Sequence, residues 1–135
     1  MSEQRDRINE LIERFGRERD LVLDPVNAEG FTQISRGSAT VRINVLEDHG
    51  VLLLIAPIMR VPERNTEAFY RRLLELSFLT TADASFAIDA AKDEIFVRTL
   101  RRLSGLDYEE FEDLLETVGR VADEWDDVLK REFPA

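Results

Sequence analysis

His49 is the single histidine of the chain, and Asp48 stands next to it. A histidine beside a carboxylate is the raw material of acid–base and triad chemistry, because imidazole titrates near neutrality and a carboxylate can fix its tautomer. Here Gly50 follows at once, and Asp48-His49-Gly50 spells a tight turn between two strand-like runs. The chain has no cysteine, and no serine motif stands near enough to be activated. His49 is therefore expected to be an exposed turn residue. The carboxylate pairs Glu112 with Glu116 and Asp123 with Asp127 come next. Spacing of i, i+4 puts both members of a pair on one helical face, where a hard cation could bridge them. Without a histidine or a constrained loop to complete a coordination shell, such pairs are what any acidic helix contains. Neither GxGxxG nor GxxxxGK[ST] occurs. The expectation is a non-enzyme with no cofactor and no metal site.

These carboxylates belong to LDYEEFEDLLETVGRVADEWDDVL, residues 106 to 129, which holds ten acids and one base. The whole chain carries a formal net charge of −10, so the remaining eighteen acids and seventeen bases almost cancel. Within the segment, Phe111, Leu114 and Leu115 recur seven residues later as Val118, Val121 and Ala122, then as Trp125, Val128 and Leu129. Three apolar residues per heptad make a core-facing helical stripe. Trp125 falls on that stripe and is read as packed against a sheet, with its indole N–H near the edge. The acids take the opposite face. They form either a solvated surface that keeps the chain in solution or a steering field for a basic partner. So negative a chain is not expected to bind nucleic acid, since phosphate contacts need a basic surface.

The elements that position these residues follow from period and punctuation. Ile8, Leu11, Ile12 and Phe15 lie at i, i+3, i+4 and i+7, predicting a first helix over residues 3–15, capped by Ser2 and ended by Gly16. From Gly30 the period falls to two. FTQISR reads as a strand, Gly37-Ser38 as its turn, and ATVRINVL as a second strand with Val41, Ile43 and Val45 on one face. VLLLIAPIM is a third strand, apolar on both faces until Pro57, which should end regular pairing or mark an edge. Asn65 or Thr66 caps a second helix reaching to about Ser77, whose apolar residues Phe69, Tyr70, Leu73, Leu74 and Leu76 cover a wide arc. SFAID and EIFVRTL form another hairpin. The third helix starts at Asp107, where Asp107 with Glu110 resembles a capping box and Leu106 with Phe111 a hydrophobic staple. The order is α-β-β-β-α-β-β-α, an α+β fold with a mostly antiparallel sheet packed with helices.

At 135 residues and 44% apolar composition, the chain is expected to be a single domain spanning 1–135. Its longest apolar run, VLLLIAPIM, is nine residues, against roughly 20 for a membrane helix, so no membrane insertion is expected. The polar start MSEQRDRINE is unlike a signal peptide, and the lack of cysteine fits the cytoplasm. A strand that is apolar on both faces needs cover on both. Helices one and three can cover one face. Either helix two covers the other, or a patch stays exposed for association as a homodimer or with a peptide.

The stretches GFTQISRGSATVRINVLEDHGVLLLIAPI and LLELSFLTTADASFAIDAAKDEIFVRTL, with VGRVADEWDDVL in the last helix, resemble one known group. They are similar to the class I type III secretion chaperones with the Tir-chaperone (CesT-like) fold, and equally to the related YbjN-like domains. The family's usual Leu-Asn near the end of helix two aligns with Leu76-Ser77, serine replacing the amide. The resemblance implies a protein-binding chaperone that forms a homodimer and binds an extended segment of a client protein. The YbjN-like alternative implies a regulatory or structural interaction module unconnected to secretion. Dimerisation would fall on Phe69, Leu73 and Leu76. Client contacts would fall on Ile8, Leu11, Ile12 and Phe15, with Val41, Ile43 and Val45. The same residues are those an ordinary core would use.

Overall fold

Period-two alternation becomes strand and period-3.6 stripes become helix along the whole chain. The computed structural model describes residues 3–134, so a cap at Ser2 lies outside the described residues. The order is α1 (Glu3–Glu18), β1 (Phe31–Arg36), β2 (Ala39–Leu46), a single 3-10 turn (Glu47–His49), β3 (Val51–Arg60), α2 (Thr66–Leu79), β4 (Ser85–Asp89), β5 (Glu94–Arg102) and α3 (Tyr108–Glu132). This is the α+β order expected from the sequence. The strands form one antiparallel sheet in the order β1-β2-β3-β5-β4.

The sheet has two unlike faces. Val41, Ile43, Leu52, Leu54 and Val97 point to one face and are buried. There α3 crosses β1, β2, β3 and β5, and α1 lies beside it over β2. Phe15 of α1 meets Phe111 of α3 edge-on, with ring centroids 6.5 Å apart. Helix α2 packs against β4, and its Phe69 meets Phe133 beyond the end of α3 at 5.1 Å. It does not cross the second face. Val51, Leu53, Ile55 and Phe96 on that face are only half-buried, and no described helix covers them. The apolar surplus in VLLLIA is thus left in the open.

Three local expectations meet different outcomes. Gly16 does not end α1: the helix runs two residues further and closes where Asp20 adopts φ 54°. The Leu21 N–H then returns to the Gly16 carbonyl at 2.8 Å and the Asp20 N–H to Arg17 at 3.4 Å, the paired bonds of a Schellman ending. Gly16 is needed inside the helix, because a Cβ there would come within 2.8 Å of the Leu21 carbonyl oxygen. Pro57 lies within β3, and regular pairing lapses there as expected. By that point the ladder to β2 has run out after Ile55, and the register with β5 shifts between Pro57 and Met59, so the missing N–H falls at a bulge. Asn65 holds the position before α2 at φ 58°, but its side chain makes no capping bond. The start of α3 is as expected. The Asp107 carboxylate accepts the Glu110 N–H at 2.8 Å, while Leu106 and Phe111 are both buried.

Candidate functional site

Most of the carboxylates that could have carried chemistry are occupied with structure. His49 is exposed on its turn. Glu112 takes Arg19 at 2.8 Å, and Glu116 takes Arg36 at 2.7 Å with Arg19 at 4.0 Å. Arg19 also lies over the Phe15 ring at 3.8 Å, a contact that suits a guanidinium over an aromatic face. Asp123 accepts both the backbone N–H and the hydroxyl of Ser38 at 2.7 Å. Those two bonds, the N–H first, hold its carboxyl below the usual Asp range. Glu110 faces Arg101 at 3.8 Å and Glu132 faces Arg72 at 3.1 Å. Asp127 is exposed, and among the described residues no cluster of acids or histidines could hold a metal ion.

The acidic helix therefore has a role that neither sequence reading contained. Its flanking carboxylates clasp arginines from the end of α1, from β1, from β5 and from α2, and they fasten the β1–β2 turn through Ser38. On the outer ridge Glu109, Asp113 and Asp127 are exposed and form no ion pair with a described residue. Trp125 is half-buried against the core, with the Arg72 guanidinium 5.4 Å from its ring centre and its indole N–H without a partner among the described residues.

The ten residues singled out for client and dimer contacts all lie inside the chain. Ile8, Leu11, Ile12 and Phe15 face α3 and the sheet, and Val41, Ile43 and Val45 lie beneath α3, none more than 5% exposed. Phe69, Leu73 and Leu76 turn inward from α2, at no more than 6%. In this conformation they are interior side chains of the single chain. The wide apolar arc of α2 resolves into two stripes. The inner one is Phe69-Leu73-Leu76; the outer one is Tyr70, Leu74 at 74% exposure and Phe78 at 83%, with Leu79 at 76%. Phe78 and Leu79 were missed because the predicted helix stopped at Ser77.

Backbone is exposed too. Asn27 holds both outward groups of Phe31, donating its N–H to the carbonyl at 3.0 Å and accepting the Phe31 N–H on Oδ1 at 3.1 Å. The Thr32 hydroxyl donates to the Asp24 carbonyl at 3.1 Å. Beyond that clamp, the outward backbone groups of Gln33 and Ser35 have no partner among the described residues. Leu21 and Val22, exposed in the segment between α1 and this strand, lie nearby in the chain. At the opposite rim the Phe86 N–H of β4 donates to Ser77 Oγ at 3.1 Å, so the residue standing where the amide was expected ties α2 to the edge strand. The concavity between α1 and α3 is open and lined by charged side chains such as Arg7, Glu10, Glu13 and Arg17.

Residues 8–126 match the profile of the Tir chaperone protein (CesT) family. The chain belongs to that family. Of the two resemblances drawn from the sequence, the match falls on the first. No curated protein matches the sequence significantly. Among solved structures the Tir-chaperone fold recurs in a chain of the ExsC–ExsE complex, with a TM-score of 0.74 and 20% identity over 93% of this chain and 95% of that one. It recurs in the HopA1–SchA chaperone–effector complex, at 0.68 and 13% identity over 87% and 91%. It is found again in the ExoU–SpcU complex of the type III secretion system of Pseudomonas aeruginosa, at 0.65 and 16% identity over 94% and 98%. At such identities the likeness is one of fold. No described helix is long and apolar enough to cross a membrane.

Proposed function

We propose that this chain is a non-enzymatic chaperone of the cytoplasm that acts as a single domain and binds an extended segment of a client protein as a homodimer. The observation that carries the reading is the match to the Tir chaperone protein family across residues 8–126. Structures of like fold drawn from chaperone–effector complexes support it. The homodimer forms through the outer stripe of α2, where Leu74 and Phe78 are too exposed for a helix that faces only water. Phe69, Leu73 and Leu76 hold that stripe in place from inside. The client runs along the α1–β1 side, gaining main-chain bonds at Gln33 and Ser35 and apolar contact at Leu21 and Val22. The buried residues of α1 and β2, Ile8, Leu11, Ile12, Phe15, Val41, Ile43 and Val45, support that surface from beneath.

The test is affinity capture from the native host with the tagged chain, followed by cross-linking and peptide mapping of the captured protein. A client whose cross-linked residues form one continuous unstructured stretch is expected. Capture of no protein, or of one joined only through folded surface, refutes the reading.

A further inference from the structure

The face of the sheet left open by the helices carries charge as well as apolar surface. Arg42 pairs with Ile55 and Ile55 with Arg98, so an isoleucine on β3 stands between arginines of β2 and β5 in one transverse row. The next row places Leu53 between Asn44 and Leu100, and the one after places Val51 between Leu46 and Arg102. Leu100 is 41% exposed. The result is an aliphatic ridge along β3 with arginine on both sides. The guanidinium groups of Arg98 and Arg102 form no hydrogen bond or ion pair with any described residue. Arg42 reaches only Asn44, at 3.0 Å, and lies over the Phe31 ring at 3.8 Å. The acids on this face, Asp89 and Glu94, are confined to the far row, opposite Arg60. In a chain of net charge −10, this face is a cationic island.

Its dimensions select an occupant. Neighbouring strands lie about 4.8 Å apart, so the arginine rows of β2 and β5 are about 10 Å apart at their bases. That is the width of an α-helix with its side chains, about 10–12 Å. A helix seated on the ridge would rest its aliphatic stripe on Ile55, Leu53 and Leu100. It would bring carboxylates on its two flanks to the guanidinium groups, where paired N–H donors suit them. An added strand gains nothing here, because a sheet face has no free backbone to pair. A second copy of the chain fits poorly. The outer ridge of α3 is acidic but its apolar stripe is buried, and the outer stripe of α2 has Arg71 along its border as well as Glu75.

We propose that the open face of the sheet docks an amphipathic helical segment of a partner, with Asp or Glu flanking its aliphatic stripe. This rests on the client-binding reading and names the chemistry of one client segment. The experiment uses two labelled 18-residue helical peptides with the same leucine stripe, one flanked by Glu and the other by Lys. Each is titrated into the full chain while fluorescence anisotropy is followed. The Glu peptide binds at least tenfold more tightly, although net charge alone predicts the reverse. Arg98→Glu weakens it about tenfold and Arg98→Gln about threefold, with circular dichroism unchanged in both, and added salt weakens it further. Equal or tighter binding of the Lys peptide overturns the proposal. So does indifference to both substitutions, or dissociation of a wild-type dimer by Arg98→Glu, which would assign the face to a second copy. Anionic phospholipid vesicles that bind where the Glu peptide does not would assign it to a membrane surface and overturn it as well. A native client captured equally by wild type and Arg98→Glu defeats this inference while leaving the client-binding reading intact. Binding of the Glu peptide by a chain that captures no client has the opposite meaning.

Discussion

Leu73 and Leu74 are neighbours on α2 with opposite fates, 6% and 74% exposed, and that difference can be measured. Leu73→Ala empties a site enclosed by the core and should lower stability by about 2–5 kcal/mol, the usual range for a buried leucine. Unfolding entropy for a chain of this length is about 0.3 kcal/mol per degree, so a 3 kcal/mol loss lowers the melting temperature by roughly 10 °C. Leu74→Ala removes little that is buried within one chain and should stay within about 0.5 kcal/mol, or near 2 °C. Association should rank the two positions the other way. A two-fold contact uses each residue twice, so burying Leu74 from both copies is worth twice about 2 kcal/mol. Leu74→Asp should then raise the dimer dissociation constant roughly a thousandfold. Analytical ultracentrifugation from 1 to about 50 μM, paired with thermal melts at one concentration, reads both effects. A wild type that sediments as a monomer throughout, or a Leu74→Asp dimer as tight as wild type, refutes the α2 interface. A smaller melting shift for Leu73→Ala than for Leu74→Ala would refute the inward and outward assignment itself.

Two further outcomes test the cap of α3 and its clasp on the β1–β2 turn. Asp107→Ala should lower stability by about 1 kcal/mol, or 3–4 °C in a thermal melt, whereas Asp107→Ser should keep most of it, since either oxygen can accept the Glu110 N–H. The Asp123 carboxyl, held below its ordinary value by Ser38, contributes stability that is fully present above the unfolded value of about 3.9 and is lost as pH falls through its lower folded value. Urea midpoints recorded from pH 6 downward should drop below about pH 4, and Asp123→Asn should flatten that limb. An unchanged limb in the variant would remove Ser38 as the cause.

How far the sequence discloses this molecule depends on which physical signal each part emits. Strands β1 and β2 announce themselves by strict alternation, and α3 by a cap and staple whose bonds are local. Gly16 misleads because glycine marks both helix ends and close backbone approaches; here the second use applies, and Asp20 accepts the left-handed conformation. The candidate surfaces are less legible for a different reason. A helix with apolar residues at 69, 70, 73, 74 and 76 has two possible inner faces, and only the position of Phe133 and β4 decides between them. The partners of the α3 acids are equally hidden, because Arg19, Arg36, Arg72 and Arg101 come from four distant places in the chain. The cationic row on the open face needs the register of three strands before Arg42 and Arg98 become neighbours of one isoleucine.

Asn27 at one rim of the sheet and Ser77 at the other have a consequence for life at high concentration. A long, flat row of free amide and carbonyl groups is a seed on which stray strands from other molecules can stack into fibrils. Both outer strands are short, and each has part of its row already filled by a neutral polar side chain from its own molecule. Runaway self-templating is discouraged by two small plugs, independently of the strong like-charge repulsion between molecules, and so the protection should persist in brine or mild acid where that repulsion fades.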